Sequence, residues 1–291
     1  MQLLVLVFDI VAFRRTGLVV AWDEFVSLVI VALFAAAMWT YYVAVPDRNP
    51  AEWTFAEAFL ILALILALGV VGGPAQYGAV ALKEPLIDRW LASADAALGV
   101  NVPSLVSWTR AHPRVIYPLF LAYDTIVVQT FLPVLVLGMW FRERDALWEW
   151  AFHFHLCAVV TLACSALWPS EGPFTFYGFS SVLDQTRIIA HLQGFRDGTM
   201  VEVHPRTIEG LITFPSFHAA VGLITTWAFR RRRFWLVGLV PLNAALIAAT
   251  MLLGVHYAID IVASVALCGV SVVLFRALKL APAIRQARPS S

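Results

Sequence analysis

Charge is what this sequence has least of. Of its 291 residues, 20 are Lys or Arg and 19 are Asp or Glu, 13% in all, while 61% are hydrophobic. A soluble domain is about a quarter charged and roughly half apolar, so this chain has too few polar side chains to cover a water-facing surface, and a soluble fold is excluded. The two signs nearly cancel, leaving +1, which removes any argument for a nucleic-acid partner, because phosphate binding by bulk charge needs clustered excess cation. Cysteine is scarce too. Cys157, Cys164 and Cys268 lie at irregular spacing inside apolar runs, a pattern that fits neither a disulfide framework nor a zinc site and marks them as packing residues. Nor does the N-terminus follow the order of a secretory leader, whose cations precede its apolar core. Here Arg14 and Arg15 come after the apolar run from Met1 to Phe13, which reads as an interfacial or anchoring segment.

What is present is apolar sequence in lengths that suit a bilayer. A crossing takes about 20 mostly apolar residues, and seven segments qualify: Phe25 to Val45, Phe55 to Val71, Ile116 to Trp140, Leu147 to Trp168, Leu211 to Phe229, Phe234 to Leu253 and Tyr257 to Phe275. The expected fold is an all-α membrane protein, a polytopic helical bundle of six core transmembrane helices plus about one extra N-terminal span and an amphipathic interfacial helix. Residues 1–54 form the anchor and extra span, 55–276 the main membrane domain and 277–291 a basic tail. The interfacial helix is expected within PLIDRWLASADAALG, where apolar residues recur at three and four around Asp88, Arg89 and Asp95. A second polar stretch, Pro169 to Gly210, is long and rich in Gly, Asp, Arg and His, with no clear helical pattern; long irregular loops tend to be functional. Lys and Arg in short loops set orientation. Arg142 and Arg144, the run Arg230 to Arg233, and Arg276, Lys279, Arg285 and Arg288 mark one side as cytoplasmic, so both polar stretches fall on the opposite face. Trp39, Trp53, Trp140, Trp148 and Trp168 stand near span ends, as interfacial anchors do.

Titratable groups at membrane depth are costly and point to function. Two segments carry them, Phe214-Pro215-Ser216-Phe217-His218 at the head of the fifth span and His256-Tyr257-Ala258-Ile259-Asp260 at the head of the seventh. The histidines are 38 residues apart, about 57 Å of helix, or roughly two crossings of a 30 Å core. Two crossings return the chain to the face it left, so His218 and His256 can meet. His256 and Asp260 share a helical face at i,i+4. A carboxylate there fixes one ring nitrogen and leaves the other as nucleophile or base, while the second histidine can protonate a leaving oxygen. Two histidines and a carboxylate suit phosphoryl transfer.

PSFHAA at 215–220 and HYAID at 256–260 resemble the P-S-x-H and H-x-x-x-D motifs of the type-2 phosphatidic acid phosphatase superfamily. That resemblance implies His256 as the nucleophile that forms a phosphohistidine, Asp260 as its orienting partner, His218 as general acid, and Ser216 facing the phosphate. The sequence departs from the phosphatases themselves: Ala249 and Thr250 stand where they carry Ser-Arg, and no K-x6-R-P motif is present. In this, and in the pair His256-Tyr257, it is similar to the branch of inositol phosphorylceramide synthases and their bacterial relatives, whose members transfer a phospho-headgroup between lipids or hydrolyse lipid phosphates.

A phosphoryl group still needs positive charge or oriented donors. On the correct face stand Arg187, Arg196 and Arg206, with Arg110 and Arg114. Arg196 is the first choice, since it is flanked by Gly194 and Gly198, which let backbone approach a ligand, and since Arg can grip phosphate with two nitrogens; Arg187 is second. His153 and His155 fall toward the cytoplasmic end, away from the site. Asp124 and Gln129, with Tyr123, either line a headgroup pocket or bond to neighbouring helices. The expected protein is therefore a membrane lipid phosphatase or phosphotransferase, working without metal or cofactor on a lipid-linked phosphate at the extracytoplasmic face, with an alcohol or lipid as a further acceptor and no nucleic-acid partner. The Arg distribution fits a bacterial inner membrane with the site facing the periplasm or outside. The competing reading is a proton-coupled transporter or flippase using the His/Asp cluster as a relay, which predicts polar residues through the midplane of several helices.

Overall fold

The computed structural model describes residues 1–44, 49–179 and 182–278. The cationic end of the tail, from Lys279 onward, lies outside them. The protein is an all-α polytopic membrane protein: among the described residues six helical stretches are long and apolar enough to cross a bilayer.

Helix α1 (Gln2–Thr16) ends on Gly17 in the left-handed conformation. It lies along the next-but-one helix, with the Gln2 amide on Leu64 O at 3.1 Å and Ala12 against Gly78. Strand β1 (Val19–Val20) pairs in parallel with β2 (Glu202–Val203), which ties the N-terminal segment to the long polar stretch. Helix α2 (Val26–Ala44) is the extra span; one side, with Ala35 buried and Tyr42 on Phe55 and Phe59, packs along the next helix, and the other side is exposed. Helix α3 (Pro50–Ala81) starts on a capping box in which Asn49 and Glu52 satisfy each other's backbone.

The predicted single interfacial helix is two, α4 (Asp88–Ala97) and α5 (Val102–Ala111), the second capped by Asn101. The third span, Pro113–Trp140, is built from α6 (Pro113–Asp124), α7 (Ile126–Pro133) and a π-helical turn, Val134–Trp140. Helix α8 (Arg144–Leu167) runs through the core, with Trp150, Leu147 and Cys157 fully buried. The polar stretch after it contains two helices that the sequence reading leaves irregular, α9 (Pro173–Tyr177) and α10 (Thr186–Asp197). Helix α10 forms because Ile188, Leu192 and Phe195 recur at helical spacing and seat it against α3.

The fifth span is shorter than the apolar run suggests. Helix α11 (Phe217–Ala228) has 12 residues, about 18 Å, and Leu211 to Ser216 is not helical. Pro215 has no N–H to donate and disfavours helix at the residue before it. Irregular backbone at membrane depth must be satisfied within the protein. Leu211 N–H donates to Gln76 Oε1 at 2.9 Å and Ser216 N–H to Asp260 O at 3.3 Å. Helices α12 (Arg233–Leu252) and α13 (Ala258–Ala277) complete the bundle. At the end that carries the arginine run, Glu57 pairs with Arg144, Glu149 with Arg230 and Glu143 with Arg232. The run is thus partly an ion-pair collar.

Candidate active site

The site begins at the turn between α12 and α13. Gly254 closes α12 at φ +80°, and a Cβ there would stand 2.8 Å from Phe179 Cε2 and 3.0 Å from Val106 Cγ2, so both the turn and the packing require glycine. His256 follows, 1% exposed, with its N–H on Thr250 O at 2.9 Å. Asp260, fully buried, turns one oxygen, Oδ2, back to the N–H of Tyr257 at 3.0 Å and to His256 Nδ1 at 3.2 Å. A carboxylate only accepts, so Nδ1 carries the hydrogen and Nε2 keeps its lone pair.

The second motif is bolted to the first through backbone. Ser216 caps α11, its Oγ accepting the N–H of Ala219 at 3.3 Å. The Ser264 hydroxyl reaches the carbonyls of both Ser216 and Asp260 at 2.8 Å. These bonds hold His218, half-buried in the first turn of α11, with its ring centroid 6.1 Å from that of His256. Tyr123 stacks on the His218 ring at 4.1 Å and 17°, which fixes the plane of the imidazole. Of the alternatives for Tyr123, Asp124 and Gln129, only Tyr123 stands at the histidines. Gln129 is buried and donates to Thr125 Oγ1 at 3.0 Å, and Asp124 is exposed on the outside of α6.

Two buried aspartates of α4 complete the arrangement, and sequence reasoning placed them only on an interfacial helix. Asp95 accepts the N–H groups of Ala258 at 2.9 Å and Ile259 at 2.8 Å. It thereby caps the helix that carries Asp260, where the helix dipole favours negative charge. Burial raises the Asp95 carboxyl above the ordinary carboxylate range, against the lowering effect of those two N–H groups. Asp88 accepts the Tyr257 hydroxyl at 2.9 Å, the Ser170 hydroxyl at 2.7 Å, and the N–H groups of Glu171 at 3.0 Å and Gly172 at 3.1 Å. One carboxylate so joins the interfacial helix, the polar stretch and the residue next to His256. The only local signal was two aspartates seven apart on a helix that is otherwise apolar on that side.

The predicted cations divide. Arg196 lies in the last turn of α10, half-buried, with Nη2 on Glu84 O at 2.9 Å and Nη1 buried without a hydrogen-bond partner among the described residues. Burial draws its guanidinium below the ordinary arginine range, while the charges of Glu171 and Asp88 oppose this. The flanking glycines have roles in the helix itself: Gly194 admits Met200, whose Cγ would lie 2.7 Å from a Cβ, and Gly198 is the left-handed cap at φ +89°. Arg187 is exposed and paired with Glu209 at 2.8 Å, beside a cluster in which the Tyr77 hydroxyl bonds to His191 Nδ1 and to the N–H of Glu209. At the far end, His153 is bonded to Ser271 and faces Glu149 at 3.7 Å, and His155 to Ala151 O at 2.8 Å. Among the described residues no group of His, Cys, Asp and Glu could hold a metal ion, and all three cysteines are free.

A family model described as the PAP2 superfamily matches residues 89–274, well over half of the chain. No curated protein and no solved structure matches it.

Proposed function

The chain belongs to the PAP2 superfamily, and on that footing we propose that it is a lipid phosphatase or phospho-headgroup transferase that works through a phosphohistidine. The observation that carries the proposal is the buried pair of His256 and Asp260 facing His218 across 6.1 Å. With Nδ1 held by Asp260, the free Nε2 attacks phosphorus, a new N–P bond forms, and the P–O bond to the leaving alcohol breaks. His218 gives its proton to that leaving oxygen. Water or an alcohol then takes the phosphoryl group, its proton returning to His218 as the N–P bond breaks. The two fates differ only in which oxygen arrives second.

Charge develops on the phosphoryl oxygens during both steps. The first turn of α11 has backbone N–H groups without helical partners, and Ser216 stands at its cap, so this turn is the proposed oxyanion cradle. Arg196, near enough to Glu171 and Asp88 for their charges to act on it, is the proposed cation; Arg187, held by Glu209, is assigned to the rim of the same face. The mechanism assigns all charge stabilisation to side chains and backbone, with no metal. The orientation proposed from the arginine loops puts the site at the extracytoplasmic face of an inner membrane. The further likeness to inositol phosphorylceramide synthases supports headgroup transfer over hydrolysis. The test supplies labelled lipid phosphate to purified protein with and without an alcohol acceptor. Label in free phosphate alone marks a phosphatase, label in a new lipid marks a transferase, and undiminished turnover by His256→Ala contradicts both.

A further inference from the structure

A polar cavity that the chemistry above does not use lies where the last turn of α1, the end of α3 and the end of α10 meet. It encloses about 450 Å³, with Leu18, Phe195 and Met200 in its walls and the charged residues Arg15, Lys83 and Glu84 also lining it. No residue of the histidine site lines it. Helix α1 runs beside α3 from Leu64 to Gly78, so Arg15 comes level with the end of α3, where the span gives way to Lys83 and Glu84. On the helical face of Arg15 stand Val11, Val7 and Leu4, at spacings of four, four and three and all exposed. A cation above an apolar stripe at the end of a span matches the way a phospholipid sets its phosphate above its chains.

The three charged groups stand open to solvent. Lys83 Nζ lies over the cavity wall at Gly198, 3.9 Å from where a Cβ would be, and reaches Asp197 O at 3.5 Å, which leaves ammonium hydrogens to spare. Its backbone is left-handed at φ +60°, at a place after a helix where glycine is usual. The guanidinium of Arg15 and the carboxylate of Glu84 are exposed, with no hydrogen-bond or ion-pair partner among the described residues. Two cations and one carboxylate select a zwitterion. Inorganic phosphate or a phosphatidylglycerol headgroup answers Arg15 and Lys83 and leaves Glu84 facing negative charge. A choline headgroup has no N–H for the carboxylate to accept. A phosphodiester joined to a primary ammonium answers all three with charge-assisted hydrogen bonds. We propose that this cavity holds the headgroup of an ethanolamine phospholipid, its phosphate between Arg15 and Lys83, its ammonium on Glu84 and an acyl chain along Leu4, Val7 and Val11. The bound lipid ties α1 to the end of α10 and takes part in no step of the phosphoryl transfer.

Native mass spectrometry of the delipidated full chain in detergent tests it, with phosphatidylethanolamine, phosphatidylcholine and phosphatidylglycerol of one acyl composition titrated singly. Wild-type protein is expected to retain one phosphatidylethanolamine at a concentration roughly threefold to fivefold lower than either of the others, the upper scale of one exposed ion pair. Glu84→Gln is expected to bring phosphatidylethanolamine down to the level of phosphatidylcholine and to leave phosphatidylcholine unchanged. Arg15→Gln and Lys83→Gln are each expected to weaken both lipids by a similar factor, since both carry the phosphate. Melting and elution volume compare the folds of the variants. The Glu84 carboxylate contacts no described side chain, so if a cation variant does not fold, Glu84→Gln decides by the same readout. Soluble phosphoethanolamine separates a lipid from its headgroup alone and is expected to leave the lipid bound. Equal retention of the three lipids, tighter retention of phosphatidylglycerol, a preference unchanged in Glu84→Gln, or displacement by equimolar phosphoethanolamine overturns the site.

Discussion

Asp260 spends one oxygen on two donors, His256 Nδ1 and the N–H of Tyr257. Replacing it with Asn presents an amide that can hold the ring in the wrong tautomer, with the hydrogen on Nε2 and no lone pair facing phosphorus. Asp260→Asn is therefore expected to fold and to lose roughly 10⁴-fold in kcat, the cost of the same exchange in a Ser-His-Asp triad. Steady-state release of phosphate measures it, and a loss under tenfold contradicts the tautomer argument. That His256, Asp260 and His218 lie together was legible in the sequence because their relation is local or periodic: four residues apart at the head of one helix, and two crossings of a bilayer. Asp88 and Asp95 were not. Their partners, Tyr257 and Ala258, stand 169 and 163 residues away, and nothing in a neighbouring residue announces a bond over that distance. Tyr123 was singled out, but only the stacking on His218 gives it a place.

Helix α4 and helix α13, which carries Asp260, are joined as a single clamp. Asp95 is the joint, since it takes the two N–H groups that open α13. Asp95→Ala leaves both unpaired in a buried setting and is expected to cost about 1–3 kcal/mol; thermal unfolding in detergent reads it, and an unchanged midpoint contradicts the clamp. Tyr257→Phe removes one bond to Asp88 and is expected to cost only about 1 kcal/mol, with the larger effect on kcat because Tyr257 adjoins His256. Element boundaries show what pattern can and cannot tell. The apolar run from Leu211 looked continuous, and Pro215 inside it carried the signal that α11 starts later. The opposite error fell on α10, where Gly, Asp and Arg obscured a helical repeat. The glycines around Arg196 also have a structural reason that pattern does not show, room for Met200 and a helix cap.

At the scale of the whole molecule, scarcity of charge predicted the architecture well, because the cost of burying backbone and charge in lipid leaves helices as the main solution. The same scarcity places the remaining charges at two ends: the ion-pair collar around Arg144, Arg230 and Arg232, and the site with its two aspartate joints. If the collar faces the cytoplasm, then in a cysteine-free background a cysteine at Arg110 is labelled from outside intact cells by an impermeant maleimide and one at Arg231 is not. The reverse pattern inverts the orientation. Turnover is also expected to survive exhaustive chelation of divalent ions, since no step assigned here passes through a metal, and loss of activity restored by a metal would contradict that. The central claim is the phosphohistidine, and rapid quench of wild-type protein with labelled lipid phosphate tests it most directly. The account predicts an acid-labile phosphate on Nε2 of His256 that forms and decays at the rate of turnover and is missing in His256→Ala; phosphate on His218 instead, or turnover with no phosphoenzyme, would contradict it.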